Sequence, residues 1–319
     1  MKRKIGVIFG GTSREHKVSL SSGKTVLNSL DTKKYEIIPV KIEKNGKWTI
    51  GKNKPKEELE ALKILKKKID VAFIVLHGTK GEDGTIQGLL EFLDIPYTGS
   101  NVEASALAMD KERSAEIFKA NGLTVPKSIC ITRKNRKTSS NIKIPCIVKP
   151  ADNGSSVGIA LVRKKEDLNN AIDKALKISE RVLVQEYIKG DEVTCAVLDD
   201  GKKIKPLTPT HIIPKSSDFF DYHAKYTHGA TEEVTPPRLP ANTVKQIQKI
   251  AVKAHSILGC SGVSRTDMII KGKKIFILET NTIPGMTKTS LLPQASAHAG
   301  IPFSKLLNIL IESATKNHN

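Results

Sequence analysis

The sequence predicts an α/β fold that opens on a parallel sheet of Rossmann type. Short apolar strands alternate with helices throughout residues 4–99, as parallel strands joined by crossover helices require. The first strand ends in Gly10-Gly11 with a helix soon after, and ligands in such sheets gather beyond the C-terminal ends of the strands. At 319 residues the chain can bury a sizeable core, and its length corresponds to two or three domains.

The elements follow in order. KIGVIFGG at 4–11 is the first strand, Val18 to Leu30 the first helix and EIIPVKI at 36–42 the second strand. A charged helix from Glu57 to Lys68, a third strand DVAFIVLHG at 70–78 and a helix from Gly84 to Leu93 complete the alternation. Two strand ends therefore carry Gly10–Glu15 and His77-Gly78. Pro96 to Ser100 reads as a domain junction, and ASALAMDKERSAEIFKANG at 104–122 as one helix closed by Gly122. The strands KSICIT, PCIVKP, GIALVR, VLVQEYI and EVTCAVL follow, with a helix near Glu166–Ile178 and a further strand near Lys203-Ile204. Pro206–Pro240 breaks the pattern with six prolines, while Phe219, Phe220, Tyr222 and Tyr226 argue against disorder, so it reads as an ordered active-site lid. A helix from Asn242 to Leu258, a hairpin and a last helix from Ser304 to Ser313 close the chain.

Hydrophobic content of 39% and charged content of 27% are those of a soluble globular protein. No apolar run approaches the roughly 20 residues that span a bilayer. The N-terminal run Ile5–Phe9 is too short for a signal peptide, so the sequence reads as cytoplasmic, with no membrane partner. Cys130, Cys146, Cys195 and Cys260 form no C-x-x-C pair and read as buried free thiols. The net charge of +19 raises a nucleic-acid partner, but arginine supplies only 9 of the 52 basic residues and aromatics only 4%. A nucleic-acid reader gathers Arg and stacking aromatics on one face. The composition argues against nucleic acid and leaves a general attraction to anionic substrates such as nucleotides.

The densest chemistry lies in SRTDMIIKGKKIFILETNTIPGMTKTS at 264–290. Met268–Ile270 and Ile275–Leu278 read as strands joined by the turn Gly272-Lys273-Lys274. Pairing about residue 273 sets Asp267 opposite Glu279 and Arg265 opposite Asn281, and alternation puts all four side chains on one face. Oxygen ligands so spaced suit Mg²⁺ held together with substrate phosphates, and an adjacent Arg suits charge that develops in phosphoryl or acyl transfer. The alternative is a surface hairpin with an ordinary cross-strand ion pair.

Other segments stay open on their own. Asn153–Gly158 lies between two strands and can fold over phosphates or form a plain hairpin turn, with Lys149 and Lys111 as natural phosphate ligands. Glu15, beside the first strand end, either offsets a helix dipole or grips a substrate ammonium. The N–H of Gly285 can stabilise an oxyanion, and Ser290 can cap a helix or bind substrate. SSGKT at 21–25 is not a P-loop, because Val18 stands where that pattern needs glycine.

In combination these segments resemble the D-alanine–D-alanine ligases of the ATP-grasp superfamily, over almost the whole chain. The resemblance rests on GGTSREHKVSL at 10–20, HGTKGEDGTIQGLLE at 77–91, YTGS at 97–100 and MDK at 109–111. IVKPADNGSSVG at 147–158, DYHAKY at 221–226, SRTD at 264–267 and LETNTIPGMTKTSLLP at 278–293 complete it in the family's order. It implies a three-domain fold, α/β and α+β: a Rossmann-like domain at 1–99, a central ATP-grasp subdomain at 100–187 and a C-terminal one at 188–319 with a lid over about 206–240. It implies ATP between the two ATP-grasp sheets, and two D-alanines joined through an acyl phosphate for peptidoglycan synthesis.

The implied roles fall residue by residue. Lys111 and Lys149 hold ATP phosphates, with Ser155 and Ser156 in the loop; Gln185, Glu186, Tyr187 and Ile188 form the adenine hinge; Glu192 binds ribose; Lys225 reaches the γ-phosphate. Asp267, Glu279 and Asn281 hold two Mg²⁺ ions, which Mn²⁺ can replace, with Asn281 also at the nucleotide. Arg265 and the N–H of Gly285 form the oxyanion site. Glu15 anchors the first ammonium, His77 lies near that pocket, and Ser155 and Tyr226 link to Glu15 and position or deprotonate the second amine. Ser290 and Leu291 receive the second carboxylate. The family usually dimerises, which implies a homodimer. Gln185 departs from the family, which often has an acid there, although its amide oxygen still accepts from adenine. Tyr226 stands where ester-forming relatives commonly carry phenylalanine, which favours a dipeptide; D-lactate and D-serine acceptors are the alternatives.

Overall fold

A computed structural model describes residues 2–135, 142–154, 158–215, 229 and 231–316. In the N-terminal domain β1 (Arg3–Gly10) is the central strand, with β2 (Tyr35–Ile42) and β4 (Val71–Ile74) parallel on either side. Helices α1 (His16–Ser29), α2 (Glu58–Lys68) and α3 (Thr85–Phe92) make the connections. A three-residue edge strand, β3 (Trp48–Ile50), pairs antiparallel with β2; it is too short to show a period and was not anticipated. Alternation along β1 sends Ile5, Val7 and Phe9 to one face and Ile8 to the other. The first face packs on Val26 of α1 and on Leu306, Leu307 and Leu310 of the last helix. The second packs on Leu65 of α2 and Leu90 of α3. Burial on both faces is why these strands read as continuous apolar runs.

The expected single helix over 104–122 is two. Helix α4 (Val102–Met109) stops at Asp110, which takes extended backbone and opens α5 (Lys111–Ala120). The Asp110 carboxylate accepts the N–H groups of Glu112 and Arg113 as an N-cap, both at 3.2 Å. Apolar periodicity runs across this one-residue break, so pattern alone misses it. Gly122 does close α5: its φ is +74°, its N–H donates to the Lys119 carbonyl and that of Leu123 to the Phe118 carbonyl, a Schellman pair.

Two antiparallel sheets follow. The first runs β5 (Ser128–Thr132), β8 (Arg181–Glu186), β6 (Cys146–Pro150), β7 (Ala160–Val162), backed by α6 (Leu168–Leu176). The second runs β12 (Thr231–Val234), β11 (Thr210–Pro214), β9 (Asp191–Asp199), β13 (Val263–Lys271), β14 (Lys274–Asn281), with β10 (Ile204–Pro206) also on β9. Its core joins Val193, Val197, Met268 and Ile277 to Ile247 and Ala251 of α7 (Ala241–Ile257), and to Phe118 of α5. Helices α8 (Leu291–His298) and α9 (Phe303–Lys316) end the chain. The segment expected to be a loop over 206–240 thus contains strands β11 and β12, which pair antiparallel; prolines at their ends conceal the alternation. Residues 216–228 and 230 of that segment lie outside the described residues.

The hairpin has the expected partners for a different reason. Lys271 faces Lys274 across a two-residue turn, Gly272-Lys273, so the lower pairs centre between 272 and 273. A β-bulge after Asp267 shifts the register by one, and Asp267↔Glu279 and Arg265↔Asn281 result. The expected three-residue turn is corrected; the juxtaposition it was used to derive is present.

Candidate active site

Two cavities adjoin, the first of them beyond the C-terminal ends of β1 and β4. The first, about 530 Å³, is lined by Glu15, His77 and Glu82 from the N-terminal domain and by Lys111 and Gly154 from the middle of the chain. Arg265, Glu279 and Asn281 of the hairpin and Gly285, Ser290 and Leu291 after it complete the wall. The second, about 350 Å³, is a cleft between the two antiparallel sheets. Ile147, Lys149 and Gln185–Ile188 come from one sheet and Glu192, Asp267, Ile269, Leu278 and Glu279 from the other. Glu279 lines both cavities, so a ligand in the cleft and one in the first cavity meet at its carboxylate.

The hairpin side chains lock together at this junction. Arg265 donates from Nε and Nη2 to the two oxygens of Asp267 at 2.9 and 2.8 Å, a bidentate pair. The Thr194 hydroxyl on β9 adds a bond to Asp267 Oδ1 at 2.6 Å. Burial alone disfavours the Arg265 cation, but Asp267, Glu279 and Glu82 together outweigh it and hold the guanidinium charged. Lys111 Nζ lies 3.5 Å from Glu279 Oε2 and donates to the Asn153 carbonyl at 2.7 Å, which ties it to the start of the Gly/Ser loop. The alternative of a merely solvated ion pair therefore fails: Asp267 is buried and Arg265 is 14% exposed.

At the N-terminal corner Glu15 occupies the N-cap position of α1 but makes no side-chain capping bond. Its Oε2 lies under two backbone segments instead. A Cβ at Gly78, whose φ is +76°, would stand 2.8 Å from Oε2, and one at Gly154 would stand 3.3 Å away. Glycine at these positions lets the Gly/Ser loop and the β4 end approach the carboxylate. Ser155 and Ser156, next in that loop, lie outside the described residues, as do Lys225 and Tyr226.

His77 is buried, and its Nε2 lies 3.0 Å from the Ser22 hydroxyl, which also accepts the Met286 N–H at 3.4 Å. Burial lowers its pKa and the charge of Glu15 opposes that. His77 thus braces the loop that carries Gly285. At Gly285 a Cβ would come within 2.8 Å of Ser290 Oγ. Ser290 stands at the N-cap position of α8 without a capping bond; its hydroxyl accepts the Thr287 N–H at 3.0 Å.

The sequence reading missed Glu82. It is buried, and its Oε2 accepts the Gly78 N–H at 2.5 Å. Burial first, then the charge of Glu15, pushes its carboxyl up to about 8. The signal was available: an acid in the tight stretch HGTKGEDG, between positive-φ residues at 78, 80 and 84.

The D-ala D-ala ligase N-terminus family matches residues 4–100, and the D-ala D-ala ligase C-terminus family matches residues 117–312. This chain belongs to the D-alanine–D-alanine ligase family. A D-alanine--D-alanine ligase of Syntrophobacter fumaroxidans is 43% identical across 99% of both chains. Among solved structures, the Bacillus anthracis D-alanine--D-alanine ligase complexed with ATP superposes with a TM-score of 0.83 at 36% identity, covering 100% of this chain and 98% of that one. The VanG D-Ala:D-Ser ligase of Enterococcus faecalis superposes with a TM-score of 0.85, also at 36% identity, covering 98% of this chain and 100% of that one. The fold is that of the ATP-grasp ligases, with the cleft of about 350 Å³ between its two antiparallel sheets. Gln185 is buried and lines that cleft. Among the described residues no helix is long and apolar enough to cross a membrane.

Proposed function

We propose that the protein joins two D-alanines at the expense of ATP, through an acyl phosphate, and so supplies the dipeptide for peptidoglycan synthesis. The observation that carries this is the junction of the two cavities at Glu279, with Arg265, Asn281 and Gly285 in the wall of the first. ATP lies in the cleft with adenine at Gln185–Ile188, ribose at Glu192 and phosphates toward Lys149 and Lys111. The first D-alanine sits beside Glu15, which takes its ammonium. Its carboxylate oxygen attacks the γ-phosphorus, the bond from phosphorus to the β–γ bridging oxygen breaks, and ADP leaves.

The second D-alanine seats its carboxylate at Ser290 and Leu291. Its amine attacks the acyl carbon, and the oxyanion that forms is met by Arg265 and the Gly285 N–H. Collapse expels inorganic phosphate and leaves the peptide bond. The resemblance gives Ser155 and Tyr226, both outside the described residues, the task of positioning or deprotonating the second amine. Donors fixed before the charge develops are the main source of acceleration in such a site.

Asp267, Glu279 and Asn281 fit Mg²⁺. All three offer oxygen, and the two carboxylates line the cleft where phosphates would supply the remaining ligands. When bound, the cation neutralises phosphate charge during transfer. Among the described residues no three His, Cys, Asp or Glu side chains form a cage of their own, in keeping with a cation completed by nucleotide.

The deciding assay follows ADP release with ATP, Mg²⁺ and single amino acids. D-Alanine alone should stimulate it, and no stimulation contradicts the reading. The likeness to a D-Ala:D-Ser ligase gives a second reading, with D-serine as acceptor. Mass spectrometry of products from mixed D-alanine and D-serine separates the two.

A further inference from the structure

Arg181 lines neither cavity, yet it ties the smaller antiparallel sheet to the start of α5. It opens β8 in the smaller antiparallel sheet. Its Nη2 donates to Asp110 Oδ2 at 2.6 Å and its Nη1 to Glu112 Oε2 at 2.8 Å, with a longer contact of 3.5 Å to Asp110 Oδ1. Asp110 and Glu112 flank Lys111 at the start of α5, a helix whose Phe118 is buried in the core of the larger sheet. The guanidinium therefore crosses from one body to the other.

The backbone makes the same crossing. The Ala151 N–H donates to the Arg181 carbonyl at 2.9 Å, and the Lys111 N–H donates to the Ala151 carbonyl at 2.8 Å. A closed ring results: Arg181 side chain, Asp110, Lys111, Ala151, Arg181 backbone. Lys111 Nζ then reaches the Asn153 carbonyl, two residues further along the strand-to-loop connection. An exposed ion pair would carry little. This one is different: one fork serves two carboxylates, and Asp110 is buried. Burial pushes the Asp110 carboxyl up, but the Arg181 bond, the Arg113 N–H and the charges of both arginines outweigh it and hold the carboxyl below its usual range. Asp110 in turn raises the Arg181 guanidinium above its own.

We propose that Arg181 is a positioning residue for ATP: by gripping Asp110 and Glu112 it fixes Lys111, in the wall of the first cavity, against Lys149, in the adjoining nucleotide cleft. The proposal rests on the ATP reading of the cleft. Lys149 stands on β6, paired with β8 two positions from Arg181 along that strand. The registry of the two phosphate lysines then depends on two side-chain ion pairs of Arg181 at the base of α5. Lysine cannot replace Arg181, because a single ammonium lacks the planar fork that spans two carboxylates.

The test compares Arg181→Met, Arg181→Lys and Asp110→Asn with wild type. Asparagine keeps the N-cap of α5 and removes only the charge, so it reports the ion pair without loss of the helix start. Each variant is assayed for KM of ATP, KM of D-alanine and kcat, for ADP affinity by calorimetry, and for melting temperature. KM for ATP and the ADP dissociation constant should rise about tenfold in all three, with KM for D-alanine within about twofold of wild type. The Arg181→Met/Asp110→Asn double variant should be no worse than the poorer single, because both changes break one link. An ATP KM within about twofold of wild type in Arg181→Lys and Asp110→Asn overturns the proposal. So does an equal rise in both KM values that tracks a fall in melting temperature. A wild-type protein that binds no ADP removes the cleft reading and the proposal with it. ADP binding that is equal in wild type and variants removes the proposal alone.

Discussion

Replacing Glu82 with glutamine probes the electrostatics of the first cavity. Burial, seconded by the charge of Glu15, raises this carboxyl from 4.5 to about 8, against the Gly78 N–H and the Arg265 charge that pull it down. The folded value exceeds the unfolded one, so between pH 4.5 and 8 the folded protein keeps a proton that the unfolded chain has lost. Stability from this group is therefore complete below the lower value and declines as pH rises through the upper one. A gap of about 3.5 units at about 1.4 kcal/mol each sets an upper limit of about 5 kcal/mol. Coupling to Glu15 and relaxation of the site reduce this to about 2 kcal/mol. Glutamine keeps an acceptor for the Gly78 N–H and cannot ionise. Glu82→Gln should melt close to wild type at pH 5 and about 3 °C higher at pH 9. Comparing the two proteins at each pH cancels the titrating groups that do not interact with Glu82. A melting difference that is the same at both pH values, or that favours wild type at pH 9, refutes the reasoning.

Other expectations concern turnover. Arg265→Ala should lower kcat by about 10²–10³ with ADP affinity near normal; a loss smaller than about tenfold removes Arg265 from the transition state. Gly285→Ala places a Cβ 2.8 Å from Ser290 Oγ, so the Ser290 hydroxyl must turn aside, and KM for the second D-alanine should rise more than KM for ATP; unchanged acceptor kinetics would show that Ser290 does not seat the acceptor. Tyr226→Phe should raise the share of D-alanine–D-lactate in a mixture of D-alanine and D-lactate, measured by mass spectrometry, and an unchanged ratio counts against its role in acceptor choice.

Much of this architecture is legible in the sequence, and the exceptions have physical reasons. The parallel strands were visible because burial on both faces leaves uninterrupted apolar runs such as Val7–Phe9. The four-residue cluster of the hairpin was visible because side-chain alternation survives a register error: the bulge after Asp267 compensates for the shorter turn. The break at Asp110 was invisible, since one extended residue does not disturb the spacing of apolar positions around it. Yet that break aims Lys111 into the site. Strands β11 and β12 were hidden by nearby prolines, while Glu82 stood in a tight glycine-rich stretch whose burial only the folded chain reveals. Arg181 was the least legible. Its partners lie about 70 positions away, and only the packing of α5 on the other sheet gives the contact its meaning.

The central claim is that the first D-alanine is activated by taking the γ-phosphoryl group onto its own carboxylate. Oxygen-18 in that carboxylate reports this directly. With both carboxylate oxygens labelled, one labelled oxygen should appear in each inorganic phosphate released, because the attacking oxygen leaves with phosphorus when the amine displaces it. Phosphate released during dipeptide formation without that label would contradict the acyl phosphate and the account built on it.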